Sequence, residues 1–280
     1  MEQAFDYFVV LDFEATCDTP QPPSPQEIIE FPSVLLAGDS LQILDTFESF
    51  VRPQHHGLLS EFCRTLTTIT QAQVDAAPLF SEVLDSHLRW LRSHALPTSA
   101  TESGPSYAFI TCGDWDLATM LPAQLRAILP PLGAIPWPYR RWINIKRHFA
   151  ASPAGKRKPQ GMPGMLEALG LPLVGVHHRG IDDCKNIAAI ARALAEGGQA
   201  LSLTGALAPS RYPPLRLVLE DGAGLVHEVQ LNKRALKTLL GLASGTLRRR
   251  IRELRPPEGV PLLADEDLCD LVDGDRLLAR

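Results

Sequence analysis

No run of apolar residues in this chain is longer than five, and that ceiling governs what the chain can fold into. A membrane-spanning helix needs roughly 20 consecutive apolar residues, so none is expected and no membrane partner is assigned. The longest runs have the length of strands instead. Tyr7–Phe13 (YFVVLDF) is a short apolar, β-branched run that reads as a strand. The N-terminus MEQAFDYFVVLDF carries acids and alternation where a secretion signal has a basic start and an apolar block. Five cysteines, odd in number, scattered and never spaced CxxC, argue against a disulfide framework or a thiolate zinc site and for a reducing compartment. A soluble, cytoplasmic protein is the expectation, with the nucleus or nucleolus left open.

With 280 residues, 45% apolar and 21% charged, the chain has the composition of a globular protein with room for one large domain, or one medium and one small. Glu27–Ala37 and Leu41–Val51 read as two further strands meeting at Gly38-Asp39-Ser40. Thr70 caps a short helix, and Pro78–Ala95 spaces Phe80, Val83, Leu84, Leu88 and Leu91 as one helical face. Tyr107–Cys112 reads as a buried strand, and Trp115–Leu129, Gly164–Leu169 and Asp182–Glu196 as helices. This order predicts a mixed α/β layer fold, with helices packed against one central sheet. It assigns residues 1–198 to the main domain, 199–214 to a Gly-, Ser- and Pro-containing linker, and 215–280 to a small α+β domain. In the last, strands Arg216–Glu220 and Val226–Leu231, a helix from Lys233 to Leu254 that breaks at Gly245, and strand-like ends after Val260 suggest a ubiquitin-like grasp order. Its role is not legible; protein docking is one assignment.

Asp12 and Glu14 stand two apart at the end of the first strand, so the pleat puts both on one face. Like charges at that range resist joint ionisation unless a cation neutralises them. Asp116 opens a helix directly after the strand Tyr107–Cys112, and Asp182 and Asp183 open another, with His178 five residues before Asp183. Each acid alone has an ordinary explanation at a strand end or in the first turn of a helix. Together they sit at ends of elements that a mixed sheet brings into one place. A donor set of hard oxygens without thiolates favours Mg²⁺ or Mn²⁺ over zinc. His177, beside His178, has no evident role.

The net charge of −5 is unevenly spread. Arg140 to Lys158 (RRWINIKRHFAASPAGKRK) holds seven cations and no carboxylate, a basic stripe that gains meaning only beside an anion-handling site; by itself such a run is a solvated helix face followed by a loop.

Three segments, Asp12-Phe-Glu-Ala-Thr, Trp115-Asp116-Leu and His178-Arg-Gly-Ile-Asp-Asp183-Cys-Lys-Asn-Ile, resemble in order and spacing the three motifs of the DEDDh 3′→5′ exonucleases, which have an RNase H-like fold. Glu27-Ile-Ile-Glu-Phe-Pro, Phe50-Val-Arg-Pro, the block from Leu66 to Val74 and Trp142-Ile-Asn-Ile are similar to the Eri-type exoribonucleases, which trim small interfering RNAs, histone messenger ends and ribosomal RNA. The resemblance covers Tyr7 to about Gly198. It implies Asp12, Glu14, Asp116 and Asp183 as metal ligands for two Mg²⁺ ions, with Mn²⁺ as a substitute, and His178 as general base. Asp183 rather than Asp182 is implied by the family's histidine-to-aspartate spacing of five. It further implies Thr16, Phe62, Leu66 and Trp115 as contacts of the terminal nucleotide, and an RNA 3′ end as partner. The basic loop from Lys156 to Lys158 is a candidate phosphate contact. The expected activity is release of nucleoside 5′-monophosphates from RNA. A DNA exonuclease of the same superfamily and a non-catalytic RNA-binding scaffold are the alternatives.

Overall fold

The computed structural model describes residues 3–128, 135–156, 161–207, 215–220, 226–231, 236–247, 250–255, 262 and 276–279. Strand β1 (Tyr7–Leu11) lies at the centre of a mixed sheet. On one side it pairs antiparallel with β3 (Ile28–Ala37), which also carries the two-residue β2 (Glu14–Ala15) and the edge strand β4 (Ile43–Phe50). On the other side β5 (Tyr107–Thr111) and β6 (Arg141–Asn144) follow in parallel, and β7 (Gly205–Ala206) closes the edge antiparallel to β6. Helices flank this sheet, as the mixed α/β reading expects: α1 (Glu61–Thr67), α2 (Gln71–Asp75), α3 (Phe80–Ser93), α4 (Leu121–Ala127), α5 (Ile145–Ala151), α6 (Met162–Leu169) and α7 (Gly180–Glu196).

The strands form because both faces of β1 are apolar. Phe8 and Val10 join Val34, Ile110 and Ile143 in a core with Phe149, Met165, Ile187 and Ile190 from α5, α6 and α7. Alternation sends Val9 and Leu11 to the opposite face, also fully buried, where their neighbour Phe109 packs against His87 of α3. Each such side chain contributes roughly 1.5–3 kcal/mol by leaving water. Two buried acids bind segments together. Glu27 accepts backbone N–H groups from Gln54 (2.6 Å), His55 and His56 (both 2.9 Å). Glu30 accepts from Arg179 Nε and from the Gly180 N–H, both at 3.1 Å, and so fixes the start of α7 against β3. Gly180 is required there: a Cβ would lie 2.7 Å from Pro32 Cγ and 2.9 Å from the Asp12 carbonyl oxygen.

Three expectations are corrected. Residues 199–206 do not run as linker: Leu201 is fully buried, Thr204 accepts the Asn144 N–H at 2.7 Å, and β7 pairs with β6. The physical reason is an unsatisfied sheet edge at β6, which this segment covers. The basic stretch is no simple solvated helix and loop, since Trp142, Ile143 and Asn144 form a buried strand before α5 begins. The helix read over Trp115–Leu129 opens as a π-helical turn, Asp116–Met120, before α4.

The contacts divide the chain into two compact units, the second made mainly of residues 207–280 together with two short stretches, 99–103 and 134–137, taken out of the first. In the second, β8 (Leu215–Glu220) and β9 (Val226–Leu231) form the expected antiparallel hairpin, and α8 (Leu236–Thr246) follows, ending beside Gly245. Leu254, read as the helix end, lies instead in β10 (Leu254–Arg255), and β11 (Arg276–Ala279) enters parallel to β8, giving the order β10-β11-β8-β9. Leu217, Leu219, Leu231, Leu239 and Leu277 form its core. Most of 256–280 lies outside the described residues.

Candidate active site

The end of β1 delivers Asp12 and Glu14 to one side of a cavity of about 500 Å³, and Asp116, Asp183, His177 and His178 line the same cavity. Single oxygens of Asp12, Glu14 and Asp183 lie within 4.8 Å of one another. Asp116 joins them from the π-helical turn, where its Oδ1 accepts the Phe13 N–H at 2.9 Å and ties that turn to the chain between the first two acids. Four carboxylates from β1, β2, the π-turn and α7 are thereby brought together from positions 12, 14, 116 and 183.

Such crowding is electrostatically costly without a cation. Desolvation is the largest influence on Asp12, followed by the charges of Asp116, Glu14 and Asp183, and its carboxyl is held well above the usual range. Glu14 is pushed up to about 9 by burial and then by Asp183 and Glu30. Asp116 is raised to about 6 by burial, against the Phe13 hydrogen bond. Asp183 is also raised by burial, with the His178 N–H and His177 opposing. The Cys112 thiol in the same cavity is pushed up to about 12, so no thiolate competes with the oxygens. This donor set fits a hard divalent cation. Asp114 stands apart, accepting from Trp142 Nε1 (2.8 Å) and Arg147 Nη2 (3.0 Å).

The two histidines sit on a short loop before α7. His178 donates its backbone N–H to Asp183 Oδ2 at 2.9 Å and has φ 68°, a left-handed conformation that costs a non-glycine residue about 1–3 kcal/mol. His177, to which the sequence assigned no role, has Nδ1 3.0 Å from Asp183 Oδ2 and stacks on His178 with ring centroids 3.8 Å apart. Burial and His177 lower the His178 pKa, which keeps its imidazole neutral at pH 7.

The loop is anchored from α7. The Asn186 amide accepts the Val174 N–H (2.9 Å) and donates to the Val174 carbonyl (2.8 Å), while Asp182 Oδ2 accepts the Val176 N–H (3.0 Å). Asn186 is 1% exposed but its partner Val174 is exposed, so Asn186→Ala removes two hydrogen bonds whose ends regain water and is expected to cost about 1–2 kcal/mol in a denaturant melt. Faster amide exchange at Val174 than in wild type checks that the loss is local; unchanged exchange there contradicts the anchor.

The softer nucleotide contacts divide. Trp115, 41% exposed, and the half-buried Leu66 line the cavity. Phe62, one turn before Leu66 on α1, is exposed and outside the cavity wall. Thr16 is buried, accepts the Glu27 N–H at 2.9 Å, and lines a neighbouring cavity of about 200 Å³. Residues 157 and 158 of the basic loop lie outside the described residues. The sequence also missed Lys146, which lines the cavity on α5; its signal was membership of the basic stretch.

Carboxylates from separate elements, converging at one end of a mixed sheet, make a donor cluster able to hold a cation. The chain belongs to the Exonuclease family (RNase_T), whose model matches residues 9–191. It is 42% identical over 196 residues to human ERI1 exoribonuclease 3, covering 70% of this chain and 56% of that protein. The nuclease domain of 3′hExo, a DEDDh family member bound to rAMP, superimposes with a TM-score of 0.66 at 37% identity over 74% of this chain and all of that one. A 3′-exonuclease that recognises the histone mRNA stem-loop 3′ end aligns with a TM-score of 0.68 at 34% identity, over 81% of this chain and 72% of that one. The chain thus spans little more than half the length of the human relative, and the family model's match ends at residue 191. Among the described residues no helix is long and apolar enough to cross a membrane.

Proposed function

We propose that this chain is a divalent-metal-dependent 3′→5′ exoribonuclease that releases nucleoside 5′-monophosphates from RNA 3′ ends. The observation that carries the reading is the meeting of Asp12, Glu14 and Asp183 within 4.8 Å, beside Asp116 and an imidazole pair. Asp12, Glu14, Asp116 and Asp183 would hold two Mg²⁺ ions, which supply a lowered water pKa and offset charge on the scissile phosphate. His178, neutral at pH 7, accepts the proton of the attacking water. The phosphorus–O3′ bond of the penultimate nucleotide breaks, leaving a 3′-hydroxyl on the shortened RNA. The Asp183–His177 contact and the stacked rings orient His178, which acts through its free imidazole edge. Trp115 offers a ring for the terminal base, with Leu66 on the same cavity wall, while Thr16 lines the neighbouring cavity and Phe62 lies outside the wall; stacking of this kind contributes roughly 1–3 kcal/mol and tolerates any base.

Digestion of 3′-labelled and 5′-labelled RNA in Mg²⁺ tests the reading. The 3′ label should appear at once as monophosphate, with EDTA stopping its release. His178→Ala should bind RNA as wild type does and cleave it about 10²–10⁴-fold more slowly. Internal fragments, or hydrolysis indifferent to EDTA, contradict the proposal. A matched DNA oligonucleotide cut faster than RNA favours the DNA exonuclease, and binding without cleavage favours the scaffold.

A further inference from the structure

Among the described residues lining the acidic cavity, Lys146 is the only lysine or arginine. It is exposed, its backbone N–H donates to Asn144 Oδ1 (3.1 Å), and its ammonium has no ion-pair or hydrogen-bond partner among the described residues. The neighbouring cations are committed. Arg147 bonds Asp114 Oδ2 (3.0 Å) and the Thr204 carbonyl (2.7 Å), and Arg179 pairs with Glu30 and Glu48.

Lys146 nonetheless lies close enough to Asp12 and Asp116 for its charge to favour their ionised forms. Its Nζ is 3.7 Å from the point where a side chain on Gly113 would begin. These neighbours place the ammonium beside the end of β5, whereas the His177 ring and the His178 backbone N–H both bond Asp183 at the start of α7. An in-line displacement puts attacking and departing oxygens on opposite sides of phosphorus. With the proton acceptor held beside Asp183, the departing 3′ oxygen lies on the side of phosphorus away from His178, and Lys146 is the cation among the described cavity residues available to the RNA continuing from it. Four carboxylates and two divalent cations sum to zero charge, so the phosphates entering there are not offset by the acidic centre.

On the exoribonuclease reading, we propose that Lys146 is a positioning residue that holds the first RNA phosphate upstream of the scissile one. A lysine suits this role: a compact ammonium on a flexible stem meets a phosphate without fixed geometry.

The test compares Lys146→Gln, Lys146→Arg and wild type in two assays. The first is binding of single-stranded RNA in EDTA across a salt series. Lys146→Gln should bind more weakly, with a slope of log K against log salt shallower by about 0.7, and Lys146→Arg should restore most of it. The second compares kcat/KM on RNA with kcat/KM on a p-nitrophenyl ester of a nucleoside 5′-monophosphate, which has the scissile group but no upstream phosphate. Lys146→Gln should lose roughly tenfold more on RNA than on the ester, through KM. Equal losses on both substrates, or an unchanged salt slope, overturn the proposal. A wild-type chain that cleaves neither substrate refutes the exoribonuclease reading, and the slope in EDTA then decides Lys146 by itself.

Discussion

Asp12→Asn should abolish nucleotide release in Mg²⁺, by roughly 10³-fold or more, while the protein stays folded and melts higher than wild type in EDTA. Both halves follow from the same geometry. Asp12 shares a 4.8 Å cluster with Glu14 and Asp183, so replacing its carboxylate removes a donor that no other described side chain supplies. Burial first, and then the charges of Asp116, Glu14 and Asp183, make the ionised Asp12 costly in the fold, and the amide, of nearly equal size, removes that cost without opening a hole. The two readouts keep an inactive variant from being mistaken for an unfolded one. Asp114→Asn is the contrast, because Asp114 holds Trp142 and Arg147 outside the cluster and should leave Mg²⁺-dependent hydrolysis in place. Hydrolysis by Asp12→Asn within about tenfold of wild type would remove the metal-site assignment.

The acidic residues were legible because their positions are tied to element ends that hydrophobic patterning reveals. Five apolar residues ending in Asp12-Phe-Glu14 mark a central strand and the side from which two acids emerge. Other parts depend on distant partners and left no local trace. Strand β6 is three buried residues inside a basic run, and it is a strand because β5 and β7 flank it. Gly205 and Leu201 read as linker composition. In the fold, a Cβ at Gly205 would lie 2.2 Å from the Trp142 ring, so glycine is set there by close approach rather than by flexibility. The π-turn at Asp116 fits one extra residue per turn, which apolar spacing cannot distinguish from an α-helix. His177 was passed over because adjacency in sequence says nothing of side-chain direction. The left-handed backbone at His178 is what stacks the two rings and leaves His177 on Asp183.

The metal-free protein should lose thermal stability as pH rises from 7 to about 9, and Mg²⁺ should restore it increasingly over the same range. An ordinary glutamate has a pKa of about 4.3, whereas Glu14 in the fold sits near 9. The native state therefore holds a proton that the unfolded chain has already released. Its stabilising contribution is complete below about 4.3 and is lost as pH rises through the folded value. Asp116, at about 6, runs through the same loss at lower pH. His178 works in the opposite sense below about 6.5, because its pKa is lowered, so the clean window for Glu14 begins near 7. Cation binding needs the ionised carboxylates, hence a larger Mg²⁺-induced rise in Tm at pH 8.5 than at 6. Glu14→Gln isolates the effect. It should flatten the EDTA profile above pH 7 relative to wild type, while Cys63, whose thiol is lowered to about 7 and shifts stability the other way, is common to both proteins. Parallel profiles for wild type and Glu14→Gln would mean that Glu14 is ionised in the empty cavity, and that the carboxylates are less crowded than their positions require.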